Sequence, residues 1–155
     1  VVPRHMTRLP QITPILDSLG LNYGFRSKED SFKDKDVIIL DTMGELSKMY
    51  SICSFAFIGG SFNKTGGHNP LEATVYSKPT ITGPSIHNFR DIYWLLSQSN
   101  AGKIVKTPAE LGEYIEKLLA DSEFYAQACK DCETIFQEQQ GALDIVIKEL
   151  KDVLK

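Results

Sequence analysis

The sequence predicts an α/β fold, a parallel β-sheet with helices on both faces. Three observations carry that prediction. Short apolar or β-branched runs recur along the chain: Val37-Ile38-Ile39-Leu40, Phe55-Ala56-Phe57-Ile58 and Thr80-Ile81-Thr82. Segments with helical spacing separate these runs at short intervals, which implies parallel pairing with crossovers over the sheet faces. A glycine-rich stretch follows one run directly: Gly59-Gly60-Ser61-Phe62-Asn63-Lys64-Thr65-Gly66-Gly67-His68-Asn69-Pro70-Leu71-Glu72. A strand, a glycine loop and a helix start together make a place where backbone N–H groups can face an anion.

The elements follow in order. Val1-Val2 reads as a strand end. Leu9, Ile12, Ile15, Leu16 and Leu19 have i, i+3, i+4 spacing, which predicts a helix over residues 9–19 with Gly20 as its stop. Pro14 inside it should shorten or kink it. Tyr23-Gly24-Phe25 is a weak strand. Residues 28–36 are charged without apolar periodicity, so an exposed loop is expected there. Val37 to Leu40 is uninterrupted, as for a strand covered on both faces. A helix should span residues 43–51, and Phe55 to Ile58 is a buried strand. After the glycine loop come a short helix over 71–76, a strand at Thr80-Ile81-Thr82 ended by Gly83-Pro84, and a helix over 89–97. Lys103-Ile104-Val105 is a short strand, and Pro108 opens a helix reaching about residue 119. Residues 122–155 carry no strand signal and read as one or two helices, over 122–139 and 142–154, broken near Gly141.

A length of 155 residues suits a single domain, 1–155, with a real core. The net charge of −3 argues against a nucleic-acid surface, which is normally basic. No apolar run approaches the roughly 20 residues that a membrane span needs. The chain opens on Val1-Val2-Pro3-Arg4, without an initiator Met or the n-region of a signal peptide, so it reads as a soluble piece of a longer protein. Cys53, Cys129 and Cys132 do not make a disulfide framework. Cys129 and Cys132 have redox or zinc spacing, but no second Cys or His pair lies nearby, so they read as helix residues.

In an open α/β sheet, ligands bind beyond the carboxyl ends of the strands. Three segments reach that edge: Pro3-Arg4-His5, Asp41-Thr42-Met43-Gly44-Glu45, and the glycine loop ending in Asn69-Pro70-Leu71-Glu72. Thr42-x-x-Glu45 and Asn69-x-x-Glu72 are capping-box patterns. Each glutamate can cap its helix or accept bonds from ribose hydroxyls, and the pattern leaves both open. Gly66-Gly67 permits close backbone approach. Arg4 suits a phosphate or a surface ion pair. Among His5, His68 and His87, His68 is the best ligand candidate, and none has metal spacing. Ser85, Asn88 and Arg90 form a polar loop on the same edge. Dinucleotide, P-loop and nucleophile-elbow fingerprints are absent.

Taken together, these segments resemble a known family. Val1-Val2-Pro3-Arg4-His5, Asp41-Thr42-Met43-Gly44-Glu45-Leu46, Phe57-Ile58-Gly59-Gly60-Ser61, Gly66 to Glu72, Lys78-Pro79 and Gly83-Pro84 with Asn88-Phe89 look like the C-terminal half of 3-deoxy-D-manno-octulosonic acid (Kdo) transferases. The likeness runs to about residue 92, with a looser one at Gly141-Ala142-Leu143. It implies a Rossmann-like C-terminal domain of a GT-B glycosyltransferase, which transfers Kdo from CMP-Kdo to a lipid A precursor at the cytoplasmic face of the bacterial inner membrane. No metal or other cofactor is implied, and membrane association belongs to the full-length protein. The CMP contacts it implies are Pro3 and Arg4, then Met43, Gly44 and Glu45, then Asn69, Pro70, Leu71 and Glu72, with Gly67 and His68 beside them. In these roles the Asn69 helix start and Arg4 receive the phosphate, Glu72 the ribose, and the Met43-Gly44-Glu45 turn the cytosine edge.

The resemblance places the general-base carboxylate in an N-terminal domain, so this chain is expected to bind donor without transferring sugar. It also implies one more strand and helix before Val1, which predicts an imperfect sheet edge or pairing through an open one. Competing readings are a GT-B domain for another nucleotide sugar such as a UDP-sugar, a non-catalytic interaction module on the same fold, and an NAD-dependent oxidoreductase, which the missing fingerprint disfavours.

Overall fold

The computed structural model describes the backbone of residues 1–28 and 32–153, and their side chains except at 140–149, 152 and 153. The chain divides into two compact units, Val1–Met49 and Tyr50–Lys155.

The first unit holds helix α1 (Leu9–Ser18) and strands β1 (Tyr23–Phe25) and β2 (Val37–Ile39). The strands pair in parallel, Gly24 opposite Ile38. Val1 is not part of a strand, yet it extends the ladder. Its backbone nitrogen donates to Ile38 O at 2.7 Å, and Leu40 N–H donates to Val1 O at 2.8 Å. That offset is parallel pairing, so Pro3 and Arg4 leave at the carboxyl end of β2. Helix α1 runs through Pro14 without ending. Gly20, at φ 66°, then stops it: Gly20 N–H bonds Asp17 O at 3.0 Å and Leu21 N–H bonds Leu16 O at 3.1 Å. This is a Schellman cap, and the left-handed residue it needs is cheapest as glycine. Of the loop expected over 28–36, residues 29–31 lie outside the described residues. Its later part is tied to Asn22, whose N–H donates to Asp36 Oδ2 at 2.8 Å.

Helix α2 (Leu46–Ile52) starts three residues after the expected Met43, because Gly44 at φ 80° is incompatible with a right-handed helix. The second unit holds β3 (Ala56–Ile58), α3 (Leu71–Thr74), β4 (Thr80–Thr82), α4 (Arg90–Ser97), β5 (Gly102–Ile104), α5 (Pro108–Ala120) and α6 (Ser122–Val153). The order β3-β4-β5 is parallel, with Phe57, Ile81 and Lys103 in register. Alternation sends side chains to opposite faces. Ala56 and Ile58 pack with Ala73 of α3 and Tyr93 of α4. Ile81, on the other face, packs with Val105, Leu118 of α5 and Ala128 of α6. Each fully buried Ile or Leu contributes about 1.5–3 kcal/mol. Helices cover both faces of this sheet, as the α/β reading requires.

Two further expectations about elements need correction. The β3 run is not wholly buried: Phe57 is 42% exposed and stacks on Phe62 with ring centroids 6.0 Å apart, because β3 is the edge strand of its sheet. The break near Gly141 does not occur, and α6 continues through it. One glycine costs a helix interior about 1 kcal/mol, too little to end it. Leu154, the last residue of the second expected helix, lies outside the described residues. The α5 start follows the sequence: Thr107 Oγ1 accepts Glu110 N–H at 3.2 Å, and Pro108 takes the first turn.

Candidate functional site

Each unit carries candidate segments at the carboxyl ends of its own parallel strands.

In the first unit, the loops after β1 and β2 hold one another. Asp41 accepts from Ser27 N–H at 2.9 Å and from Ser27 Oγ at 2.6 Å. Arg26 Nη2 lies 3.2 Å from Glu45 Oε1, and the Thr42 hydroxyl bonds the other carboxylate oxygen. The Ser27 hydroxyl holds the Asp41 carboxyl below the usual carboxylate range. Thr42 first, then Arg26, does the same for Glu45. The Glu45 carboxylate is thus engaged by its own unit, and the turn offers its backbone instead. Gly44 needs positive φ, and Met43 stands 93% exposed at the tip. Pro3 is buried and Arg4 exposed. Sequence reading missed Arg26 and Ser27, although their position directly after β1 puts them on the expected edge.

A depressed carboxylate pKa stabilises the folded state above the ordinary pKa, and that contribution disappears as pH falls through the depressed one. Ser27→Ala should therefore destabilise the first unit more at about pH 7 than near pH 2. Denaturant midpoints of both chains at the two pH values check this; an equal gap at both would contradict it.

In the second unit, the glycine loop after β3 lies against the loop after β4. Ser61, fully buried, donates to Ile58 O at 2.7 Å and accepts Gly83 N–H at 2.8 Å. Its carbonyl accepts Ser85 N–H at 2.8 Å. Gly66 and Gly67 have φ 92° and 74°, and the His87 ring would lie 2.4 Å from a Cβ at Gly66. Both glycines therefore sit in the left-handed region that favours glycine, and a side chain at Gly66 would also displace the exposed His87 ring. Asn88 Nδ2 donates to Thr65 O at 2.7 Å and to Gly67 O at 3.2 Å. The Tyr93 hydroxyl donates to His68 O at 2.6 Å. The His68 ring lies over Gly60.

The expected capping box at Asn69 takes another form. Asn69 Oδ1 accepts Leu71 N–H at 3.1 Å, two residues on, while Pro70 is the N-cap and makes no side-chain cap bond. Asn69 thus closes an Asx turn. Glu72 is exposed in the first turn, and its charge together with burial pushes the Tyr50 hydroxyl up to about 12, burial being the larger cause. The helix has four residues, Leu71–Thr74, too few aligned peptides to build much of a macrodipole.

Other candidates recede. Cys132 is fully buried with Leu96, Ala101 and Ile135, and burial pushes its thiol up to about 12. A buried thiol shifted in that direction is a poor source of thiolate, so Cys132 is unsuited to thiolate chemistry. Among the described residues no group of three or more His, Cys, Asp or Glu is placed to hold a metal ion, and no helix is long and apolar enough to cross a membrane.

Known proteins are similar to this chain. No family model matches the chain. The 3-deoxy-D-manno-octulosonic acid transferase of Chlamydia muridarum is 39% identical over 77% of this chain and 28% of its own length. That of Haemophilus influenzae is 34% identical over 100% of this chain and 37% of its own length. The crystal structure of the C-terminal CMP-Kdo binding domain of WaaA from Acinetobacter baumannii superposes with TM-score 0.80 at 31% identity, covering 88% of this chain and 72% of that one. The chain belongs to the Kdo transferase family. It spans roughly a third of the length of these curated Kdo transferases, 28% and 37%. The Kdo transferase motifs divide between the units: Pro3, Arg4, Met43, Gly44 and Glu45 in the first, Gly67, His68, Asn69, Pro70, Leu71 and Glu72 in the second.

Proposed function

We propose that this chain holds the CMP moiety of CMP-Kdo and forms the donor half of a glycosyltransferase that moves Kdo onto a lipid A precursor at the cytoplasmic face of the inner membrane. The observation that carries this reading is the likeness to a CMP-Kdo binding domain, TM-score 0.80 at 31% identity. The motif segments support it by lying after parallel strands, where α/β folds take nucleotides. Arg4 supplies counter-charge to the phosphate, and loop N–H groups near Asn69 supply directed bonds. With a helix of only four residues, these individual donors, and not a macrodipole, carry the attraction. Glu72 accepts from the ribose hydroxyls, and the exposed Met43-Gly44-Glu45 turn presents backbone groups and the Met43 side chain to cytosine. Binding needs no metal in this scheme. A carboxylate of an N-terminal domain takes the acceptor proton, so this chain alone binds donor and does not transfer sugar.

Calorimetric titration with CMP, UMP and UDP tests the reading. CMP should bind with about tenfold or greater preference over UMP, since the cytosine amino group donates where the uracil carbonyl cannot. A preference for UDP would instead favour a UDP-sugar transferase, and no binding at all an interaction module.

A further inference from the structure

We infer that Arg26 is a positioning residue for the donor's pyrimidine, acting through Glu45 to hold the Met43-Gly44-Glu45 turn in the shape that meets the base. The inference rests on the donor-site reading above and deepens it, since Arg26 lies outside the motifs assigned to CMP.

Arg26 fastens both ends of that turn. The chain after β1 folds back at once, with Lys28 N–H donating to Phe25 O at 3.0 Å, so Arg26 and Ser27 are the central residues of a β-turn. Arg26 N–H donates to Ile39 O at 2.9 Å, which ties its backbone to the last residue of β2. Its guanidinium reaches forward to Glu45, Nη2 to Oε1 at 3.2 Å. The backbone of Arg26 therefore holds the approach to the turn, and its side chain holds the exit. Ser27 reinforces the approach with two bonds to Asp41, from its N–H at 2.9 Å and its hydroxyl at 2.6 Å. The Thr42 hydroxyl bonds the second Glu45 oxygen from within the turn. Both oxygens of Glu45 are thus engaged, and its side chain is the other half of the strap.

Between these anchors the apex is exposed. Met43 is 93% exposed, and a Cβ at Gly44 would meet nothing within 4 Å. Gly44 is required there by its φ of 80° and not by crowding, so the space beside it can admit a flat ring. Fixed ends and an exposed apex make the turn preorganised: its backbone is ordered on folding, and binding does not have to order it again.

The test measures CMP affinity by calorimetry and UMP affinity by ligand-observed NMR, with thermal midpoints alongside. The chains are wild type, Arg26→Ala, Glu45→Ala, the double variant and Arg26→Lys. Arg26→Ala should lose about tenfold in CMP affinity and less than about threefold in UMP affinity, so that discrimination between the bases largely disappears. Arg26→Lys keeps the charge without the planar fork and should recover part of that discrimination. Because Arg26 acts through Glu45, the double variant should bind CMP within about twofold of Glu45→Ala. Losses that multiply would mean that Arg26 touches the ligand itself. Equal losses for CMP and UMP would mean a general loosening. Either result, or an unchanged CMP-to-UMP ratio in Arg26→Ala, overturns this inference and leaves the donor-site reading standing. A wild-type chain with no preference for CMP over UMP removes that reading and this inference with it. Should the Arg26 variants not fold, Thr42→Val keeps the branched shape and removes the hydroxyl bonded to Glu45. It must lower the CMP-to-UMP ratio too, and an unchanged ratio there overturns the inference as well.

Discussion

Gly83→Ala should destabilise the second unit by about 3 kcal/mol, the upper part of the range for overpacking. A Cβ at Gly83 would lie 2.6 Å from Ser61 O, 2.8 Å from Ser61 C and 3.0 Å from Phe62 Cγ. Two of these are backbone atoms and cannot rotate aside. Relief requires the loops after β3 and β4 to separate, which would break the Ser61 bonds to Gly83 and Ser85. Ser61→Ala probes those bonds without the clash. It leaves the buried Gly83 N–H without its partner, at a cost of about 1–3 kcal/mol. Gly112→Ala is the control, because a Cβ there meets nothing within 4 Å. In the interior of α5 it should stabilise by about 1 kcal/mol. Denaturant midpoints of the three variants give the comparison. Gly83→Ala as stable as Gly112→Ala would contradict the close apposition of the two loops.

Arg4→Ala and Glu72→Ala should each weaken CMP binding by roughly ten- to a hundredfold while leaving stability nearly unchanged. Both side chains are exposed, so truncation opens no cavity. In the proposed scheme each loss removes one charge-assisted hydrogen bond to ligand, about 1.5–3 kcal/mol. The two differ in character. Arg4→Lys keeps the charge and loses the planar fork, so it should recover part of the affinity for a phosphate. Glu72→Gln keeps one acceptor oxygen and should recover part of the ribose contact. Removing the phosphate from the ligand should cancel the Arg4 effect and leave the Glu72 effect standing. Isothermal titration with CMP and cytidine reads all of these; CMP affinity unchanged by Glu72→Ala would remove Glu72 from the site.

Strand positions were legible because β-branched runs between helical segments have few other solutions. Val37 to Ile39, Ala56 to Ile58 and Thr80 to Thr82 all appear where the sequence puts them. Helix ends were legible where a local device sets them, as with Gly20 after α1 and Thr107-Pro108 before α5. They were misread where one residue's conformation outweighed the pattern. Thr42-x-x-Glu45 promised a helix from Met43, but Gly44 takes positive φ, and Thr42 and Glu45 bond each other outside a helix. Gly141 promised a break, but its cost is small beside the rest of a helix of 32 residues. Arg26 and Ser27 were missed because their partners, Glu45 and Asp41, lie 19 and 14 positions away, beyond any local period.

The sequence by itself determined the α/β class, the parallel strands and the segments that follow the strands' carboxyl ends, and its motifs carried the likeness to Kdo transferases. These follow from local chemistry, namely side-chain branching, proline and glycine geometry, and short motifs. Only the tertiary structure decided what the glycine loop rests on. The four carbonyls from Thr65 to His68 are held by Asn88 and Tyr93, donors 21 to 25 residues downstream. A flexible loop acquires direction only when something outside it fixes its peptide planes, and that contact exists once β3 and β4 have paired.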